Sequence, residues 1–141
     1  MNIILSIHPK WAKLIYEGKK TIEWRKSIPA EFFSEYARNH RYSVQVMLYE
    51  TAPVKKITGV AELVGWNRIT KETIYEGLHP KIVESGCVPV EYLMAYLGNG
   101  KSLWGWELAN VKKFGDGDFR NIEDLGLKRP PQSWCYTEVD V

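Results

Sequence analysis

Cysteine, histidine and long apolar runs are all scarce in this chain of 141 residues, and each scarcity excludes a class of protein. The two cysteines, Cys87 and Cys135, lie far apart, so neither a disulfide framework nor a metal knuckle is indicated. The three histidines are equally scattered and do not have the spacing of a zinc site. We therefore expect reduced thiols, no bound metal and no cofactor.

Membrane segments and a strong net charge are lacking as well. No apolar run approaches the ~20 residues that a membrane-spanning helix needs, and the opening MNIILSIHPK has neither a basic leader nor a cleavage site. We therefore expect a cytoplasmic protein that has no membrane partner. The formal net charge of +2 is too small to indicate nucleic-acid binding by itself, so any basic surface must be local.

Aromatic residues, in contrast, are abundant, with six tryptophans and eight tyrosines in the chain. Tryptophan and tyrosine pack in cores, but they also form surfaces on which nucleic-acid bases stack. Trp104 and Trp106 are two residues apart on a late predicted strand, as are Trp134 and Tyr136, so each pair shares a face. We expect most of these four side chains in the core, and either pair is a candidate stacking surface.

The order of the predicted elements favours one α+β domain that covers residues 1–141. Short helices separate six predicted strands, which lie at residues 2–6, 21–26, 44–51, 57–66, 101–111 and 133–137. The third and fourth strands are joined by a short loop, which favours antiparallel pairing. Gly59 and Gly65 indicate the bends that a small curled sheet or barrel needs.

Residues 3–26 form the most informative unit, a strand, a helix and a second strand. Side chains alternate along an extended backbone, so Thr21, Glu23 and Arg25 share one face of the second strand. Their spacing is about 7 Å, since each pair is two residues apart at ~3.3 Å per residue. Such a row of polar groups is either a solvated outer face or the floor of a binding cleft.

Gly18, Lys20, Glu23 and Arg25 spell the pattern G-x-K-x-x-E-x-R directly after a predicted helix. This pattern resembles the ASCH domains of the PUA-like superfamily, and the later segments LYETAPVKKITGVAEL and RPPQSW follow in the same order. The resemblance implies a small PUA-like β-barrel with short helices near the barrel openings. It also implies binding of RNA or a nucleotide, because ASCH domains are similar to RNA-recognising modules.

The chemistry of these residues suits a cleft that binds RNA or a nucleotide. Arg25 offers a planar fork for a phosphate, Lys20 offers a point charge, and Glu23 can accept a hydrogen bond from a base amino group. Lys10 on the preceding helix and Ser133 near the end of the chain would close the cleft. The alternative is an exposed strand, whose ion pairs contribute about 0–1 kcal/mol each.

A small hydrolase is the alternative function, since some ASCH proteins are amidohydrolases of N-acylated cytidine and others are nucleases. Lys20 would act as general base near Glu23, with water or the Thr21 hydroxyl as nucleophile. In the amidohydrolases a threonine stands three positions after the lysine, where this chain has Glu23. Lys20 would reach Glu23 only if the chain bends after Gly18. A regulatory domain that binds a protein partner is a third possibility.

Two further glutamates are candidate functional acids. Glu62 lies among apolar residues on one face of a predicted strand, where a carboxylate is costly unless it is paired. An ion pair, or a strand end in solvent, is the simpler explanation for it. Glu84 lies near the position at which the resemblance to amidohydrolases implies a distant acid.

Overall fold

The computed structural model describes residues 2–140, in which six strands and five α-helices are found. The strands are β1 (Asn2–Ile7), β2 (Ile22–Arg25), β3 (Val44–Glu50), β4 (Lys56–Thr70), β5 (Ser102–Lys113) and β6 (Trp134–Thr137). The α-helices are α1 (Pro9–Tyr16), α2 (Glu35–Asn39), α3 (Lys71–Glu76), α4 (Pro80–Gly86) and α5 (Val90–Leu97). Residues 1 and 141 of the predicted domain lie outside the described residues.

The strands form one mixed sheet in the order β2-β5-β4-β3-β1-β6. β1 runs parallel to β3, and the other neighbouring pairs are antiparallel. This arrangement confirms the α+β class and the antiparallel pairing predicted for β3 and β4. Within residues 2–140 the ladder does not close between β2 and β6, so the predicted closed barrel is not confirmed.

Bulges bend β4, which is the longest strand with 15 residues. Its pairing with β5 shifts register between Val60 and Glu62 and again between Leu63 and Gly65. A Cβ atom at Gly59 would collide with a backbone carbonyl oxygen of β5, so the close approach of the two strands requires glycine there. The bends predicted from the two glycines are therefore present in the sheet.

Three apolar clusters cover the sheet. The largest joins α1 to the central strands and contains Ile3, Leu5, Ile7, Ala12, Ile15, Val46, Leu48, Ala61, Leu63, Trp106 and Leu108. The second packs α3 and α5 against β2 and β5, and includes Ile22, Trp24, Ile69, Ile74, Leu93, Leu97 and Leu103. The third contains Ile4, Met47, Tyr49, Ile57, Ile122 and Leu125. Every residue of β1 is buried, which is consistent with its four apolar residues, Ile3, Ile4, Leu5 and Ile7.

Two glycines fix the position of Trp24 in β2. A Cβ at Gly105 of β5 would lie 2.8 Å from Cζ3 of the indole ring. A Cβ at Gly86, the last residue of α4, would lie 2.6 Å from Nε1 of the same ring. Both contacts are too short for a real side chain, so α4 and β5 hold β2 closely through this tryptophan.

Within the described range, no helix has both the length and the apolar character needed to cross a membrane. Cys87 and Cys135 are free thiols. Among residues 2–140, no three His, Cys, Asp or Glu side chains converge in a way that could hold a metal ion.

Candidate functional site

A pocket of about 460 Å³ lies along β2, which is an edge strand of the sheet. This volume falls within the range of small-molecule sites. Its aromatic lining comes from α1, β2 and α5, namely Trp11, Trp24, Tyr92 and Tyr96. Its polar lining comes mainly from β2 and from the segment before β6, and includes Glu23, Arg25, Lys26, Ser27, Gln132 and Ser133. Three of the predicted ligand-binding residues, Glu23, Arg25 and Ser133, therefore line one pocket.

Glu23 lines the pocket and has a buried carboxylate oxygen beside two cations. Its side chain is 10% exposed, its Oε1 lies 3.8 Å from Lys20 Nζ, and its Oε2 lies 3.6 Å from Arg25 Nη2. Within the described part of the chain, the buried Oε2 has no hydrogen-bond partner. Leaving a buried polar atom unsatisfied costs about 1–3 kcal/mol, and more for a charged group. The two neighbouring cations, Lys20 and Arg25, offset that cost by their charge.

Lys20 lies behind Glu23 and does not line the pocket. The chain turns at Gly18, where φ is +77°, and β2 begins only after Lys20, so the predicted bend brings the amine to the carboxylate. Lys20 Nζ donates to the carbonyl of Gly86 and lies 5.5 Å from the ring centroid of Trp11. Burial lowers the pKa of Lys20, and the charge of Glu23 opposes that shift.

Arg25 links the two edges of the sheet. Its Nη1 donates to Ser133 Oγ at 3.0 Å, and its Nη2 donates to the Ser6 carbonyl oxygen at 2.8 Å. Ser133 directly precedes β6, the edge strand opposite β2. Two nitrogens of the guanidinium are therefore engaged within the protein, which limits the phosphate-binding role predicted for Arg25.

Ser27 makes a second link across the same gap. Trp134 Nε1 donates to Ser27 Oγ at 3.0 Å, and Trp106 Nε1 donates to the Ser27 carbonyl at 2.9 Å. The two indole rings pack edge to face with centroids 5.5 Å apart, and Trp106 is fully buried. These two residues therefore join the sheet edges and do not form a stacking surface for a ligand. Tyr136 is 39% exposed and donates to Glu31.

The aromatic wall of the pocket carries lysines at its rim. Trp11 and Tyr92 pack edge to face with ring centroids 6.1 Å apart. The ring centroids of Tyr92 and Tyr96 are 6.4 Å apart. Lys10 Nζ lies 4.8 Å from the centroid of Trp11, and Lys26 Nζ lies 5.0 Å from that of Tyr96. Lys10 itself does not line the pocket, but its exposed amine adjoins the wall. Both amines can move to a phosphate at the pocket mouth, because long lysine side chains are mobile in solvent.

Tyr92 and Tyr96 were not among the site residues predicted from the sequence. They are four residues apart on α5, so they share one face of the helix. That spacing was visible in the sequence, but an aromatic pair on one helix face is more often part of a core. Only the position of α5 beside β2 makes the pair part of a pocket.

The other predicted residues lie outside the pocket. Thr21 is exposed, whereas its neighbour Lys20 is buried, so the proposed nucleophile and base are not brought together in the pocket. Glu62 accepts a hydrogen bond from Asn110 on an outward-facing part of the sheet. Glu84 is exposed on α4.

The family model of the ASCH domain matches residues 5–117, and the chain belongs to this family. A curated relative from Zymomonas mobilis, an ASCH domain-containing ribonuclease, is 37% identical over 60 residues, which are 43% of this chain and 34% of that protein. The matched segment thus spans about a third of the relative's length.

Solved structures show the same fold. The crystal structure of ASCH from Zymomonas mobilis superposes with a TM-score of 0.74 at 22% identity, covering 97% of this chain and 87% of that one. The crystal structure of a serine-to-alanine variant of that protein superposes with a TM-score of 0.73 at 20% identity, covering 97% of this chain and 88% of that one. At these identities the likeness establishes the fold alone.

Replacing Arg25 by alanine tests its role between the sheet edges. We expect the free energy of unfolding to fall by about 1–3 kcal/mol, because the Ser6 carbonyl and the Ser133 hydroxyl lose their charged donor. Arg38→Ala, at an exposed position of α2, should change it by no more than about 0.5 kcal/mol. Urea denaturation measures both, and equal effects of the two substitutions would contradict the linking role.

Proposed function

We propose that this protein binds RNA, or a nucleotide unit of RNA, in the pocket along β2. The observation that carries the proposal is the combination of an acidic residue, Glu23, and an aromatic wall in the lining of one pocket. An unpaired nucleobase matches such a site, because it is flat and carries N–H groups at its edge. The ribonuclease name of the curated relative supports RNA as the class of ligand.

The aromatic wall and the rim amines suit the other parts of a nucleotide. Stacking of a base on an aromatic side chain is worth about 1–3 kcal/mol, and Tyr92, 46% exposed, is open to such contact. Lys10 and Lys26 adjoin the wall and can neutralise backbone phosphates. Each phosphate neutralised on a single strand adds about 0.7 to the steepness with which the logarithm of the binding constant falls against the logarithm of the salt concentration. The basic surface is therefore local, in keeping with the small net charge.

We also propose that the chain acts in the cytoplasm as one ASCH domain over residues 1–141, with a PUA-like barrel architecture. The links made by Arg25 and Ser27 across the two sheet edges support the barrel, since side chains join the edges where backbone hydrogen bonds do not.

Replacing Tyr92 by alanine tests whether RNA uses this pocket. We expect the affinity for a six-nucleotide RNA of mixed sequence to fall about 5- to 100-fold, because one stacking contact is lost. Tyr75→Ala is the matched control, since Tyr75 is also exposed on a short helix, α3, but lies outside the pocket. Fluorescence titration at two salt concentrations measures both. Equal affinities of the two variants, or no binding by the parent, would contradict the proposal.

Hydrolysis of RNA or of N-acylated cytidine is a second candidate function. The ribonuclease name of the relative favours it, and a carboxylate in a pocket can act as a general base. Lys20 Nζ is buried behind Glu23, so the carboxylate is the base that faces the pocket. Lys20 would then support catalysis through Glu23.

Incubation of the pure protein with labelled RNA and with N-acylated cytidine tests this candidate. We expect turnover that is lost in Lys20→Met, because Glu23 then loses the cation beside it. Lys19→Met should retain the turnover, since the Lys19 side chain is exposed and pairs with Glu17 at 3.7 Å. Absence of turnover in the parent, or equal turnover in both variants, would remove the hydrolase from consideration.

A further inference from the structure

We propose that an RNA strand bound in the pocket along β2 continues into a second groove, where Lys101 contacts the phosphate of the next nucleotide. This inference rests on the proposed function and adds the path of the strand and a binding site that extends over at least two nucleotides. It follows from the continuity of the groove with the pocket, from the charges that line the groove, and from the hydrogen bonds that cover the nearby helix end.

The second groove lies between the end of α5 and the start of β5. Its volume is about 490 Å³, and it is lined by Lys26 and by residues 95–102. Lys26 and Tyr96 also line the pocket along β2, so the pocket and the groove share a rim. Lys26 Nζ lies 5.0 Å from the ring centroid of Tyr96, which places a cation on that rim. A strand that leaves the pocket over this rim enters the groove directly.

The register of the sheet explains why two lysines meet at this groove. β2 and β5 are antiparallel, with Arg25 opposite Trp104. Lys26 directly follows the last residue of β2, and Lys101 directly precedes the first residue of β5. Because the end of one strand lies beside the start of its antiparallel neighbour, both lysines come to the same end of the sheet. Both are exposed, so their amines are free to meet a ligand in solvent.

The charge of the groove favours an anionic ligand. Lys26 and Lys101 are the charged residues in its lining, and the described residues that line it include no aspartate or glutamate. A depression beside α1 also contains two lysines, but Glu17 and Glu50 line it as well. A surface that carries cations without acids attracts a polyanion. An RNA strand meets this requirement, since it carries one phosphate for each link between nucleotides.

The nearby end of α5 does not oppose a phosphate strongly. The C-terminal end of a helix carries partial negative charge on its free carbonyl oxygens. Two of these oxygens are covered, because the Met94 carbonyl accepts from the Gly98 N–H at 3.1 Å and the Leu97 carbonyl accepts from the Gly100 N–H at 2.8 Å. The two glycines have no side chain, so a sugar-phosphate backbone can approach this loop closely.

The length of the ligand provides the first test, because it leaves the protein unchanged. Cytidine monophosphate and the dinucleotide pCpC are titrated into the parent protein at low salt and followed by tryptophan fluorescence, since Trp11 lines the pocket. We expect pCpC to bind about four- to tenfold more tightly, because its second phosphate gains an exposed ion pair, worth about two- to fivefold, and its two bases double the ways of binding. A gain within about twofold, which the two bases alone explain, would overturn the inference.

Substitution of Lys101 provides the second test. Lys101→Met keeps the length of the side chain and removes its charge, so it should weaken the binding of pCpC about two- to fivefold. It should also lower the steepness of the salt dependence by about 0.7, the contribution of one phosphate. The affinity for cytidine monophosphate should stay within that of the control, Lys81→Met, which removes the same charge at an exposed position of α4 outside the pocket and the groove.

The outcomes separate this inference from the proposed function. If Lys101→Met and Lys81→Met bind pCpC with equal affinity, or if Lys101→Met weakens cytidine monophosphate as much as pCpC, the second groove is wrong and binding in the pocket stands. If neither cytidine monophosphate nor any RNA binds the parent, the proposed function fails and the second groove fails with it. The comparison of ligand lengths remains decisive even if Lys101→Met does not fold.

Discussion

The site depends on three charged side chains, Lys20, Glu23 and Arg25, that are buried together at one edge of the sheet. Burying a charge costs several kcal/mol unless partners replace the lost water. Both cations meet this requirement with backbone carbonyl oxygens, that of Gly86 for Lys20 and that of Ser6 for Arg25. Glu23 is the acidic member, and its residue lines the pocket. The fold thus pairs its cations internally.

The local pattern of the sequence was enough to place the strand that carries this cluster. The predicted helix is α1, which begins at Pro9, and the chain turns at Gly18 with a positive φ. Alternation placed Glu23 and Arg25 side by side, and they form an ion pair in the structure. Thr21, expected on the same face, is exposed, because regular strand geometry begins only at the next residue.

The partners of these residues could not be read from local patterns. Arg25 bonds to Ser133, which is 108 positions away, and periodicity carries no information on contacts of that range. The same limit applies to α5, since the spacing of Tyr92 and Tyr96 indicates a shared helix face but not the strand beside it. The side-chain links between the two edges of the sheet were likewise beyond prediction. Gly59 indicated a bend in β4, whereas the joining of the two edges depends on side chains distant in sequence.

Entry of the ligand into the pocket along β2 would change the tryptophan indole N–H signals in a two-dimensional ¹⁵N–¹H spectrum. Trp11 and Trp24 line the pocket, whereas Trp66 and Trp104 pack together outside it with centroids 5.3 Å apart. On titration with cytidine monophosphate, we expect the Trp11 and Trp24 signals to shift and those of Trp66 and Trp104 to stay in place. Shifts confined to the Trp66 and Trp104 signals would contradict binding of the ligand in the pocket along β2.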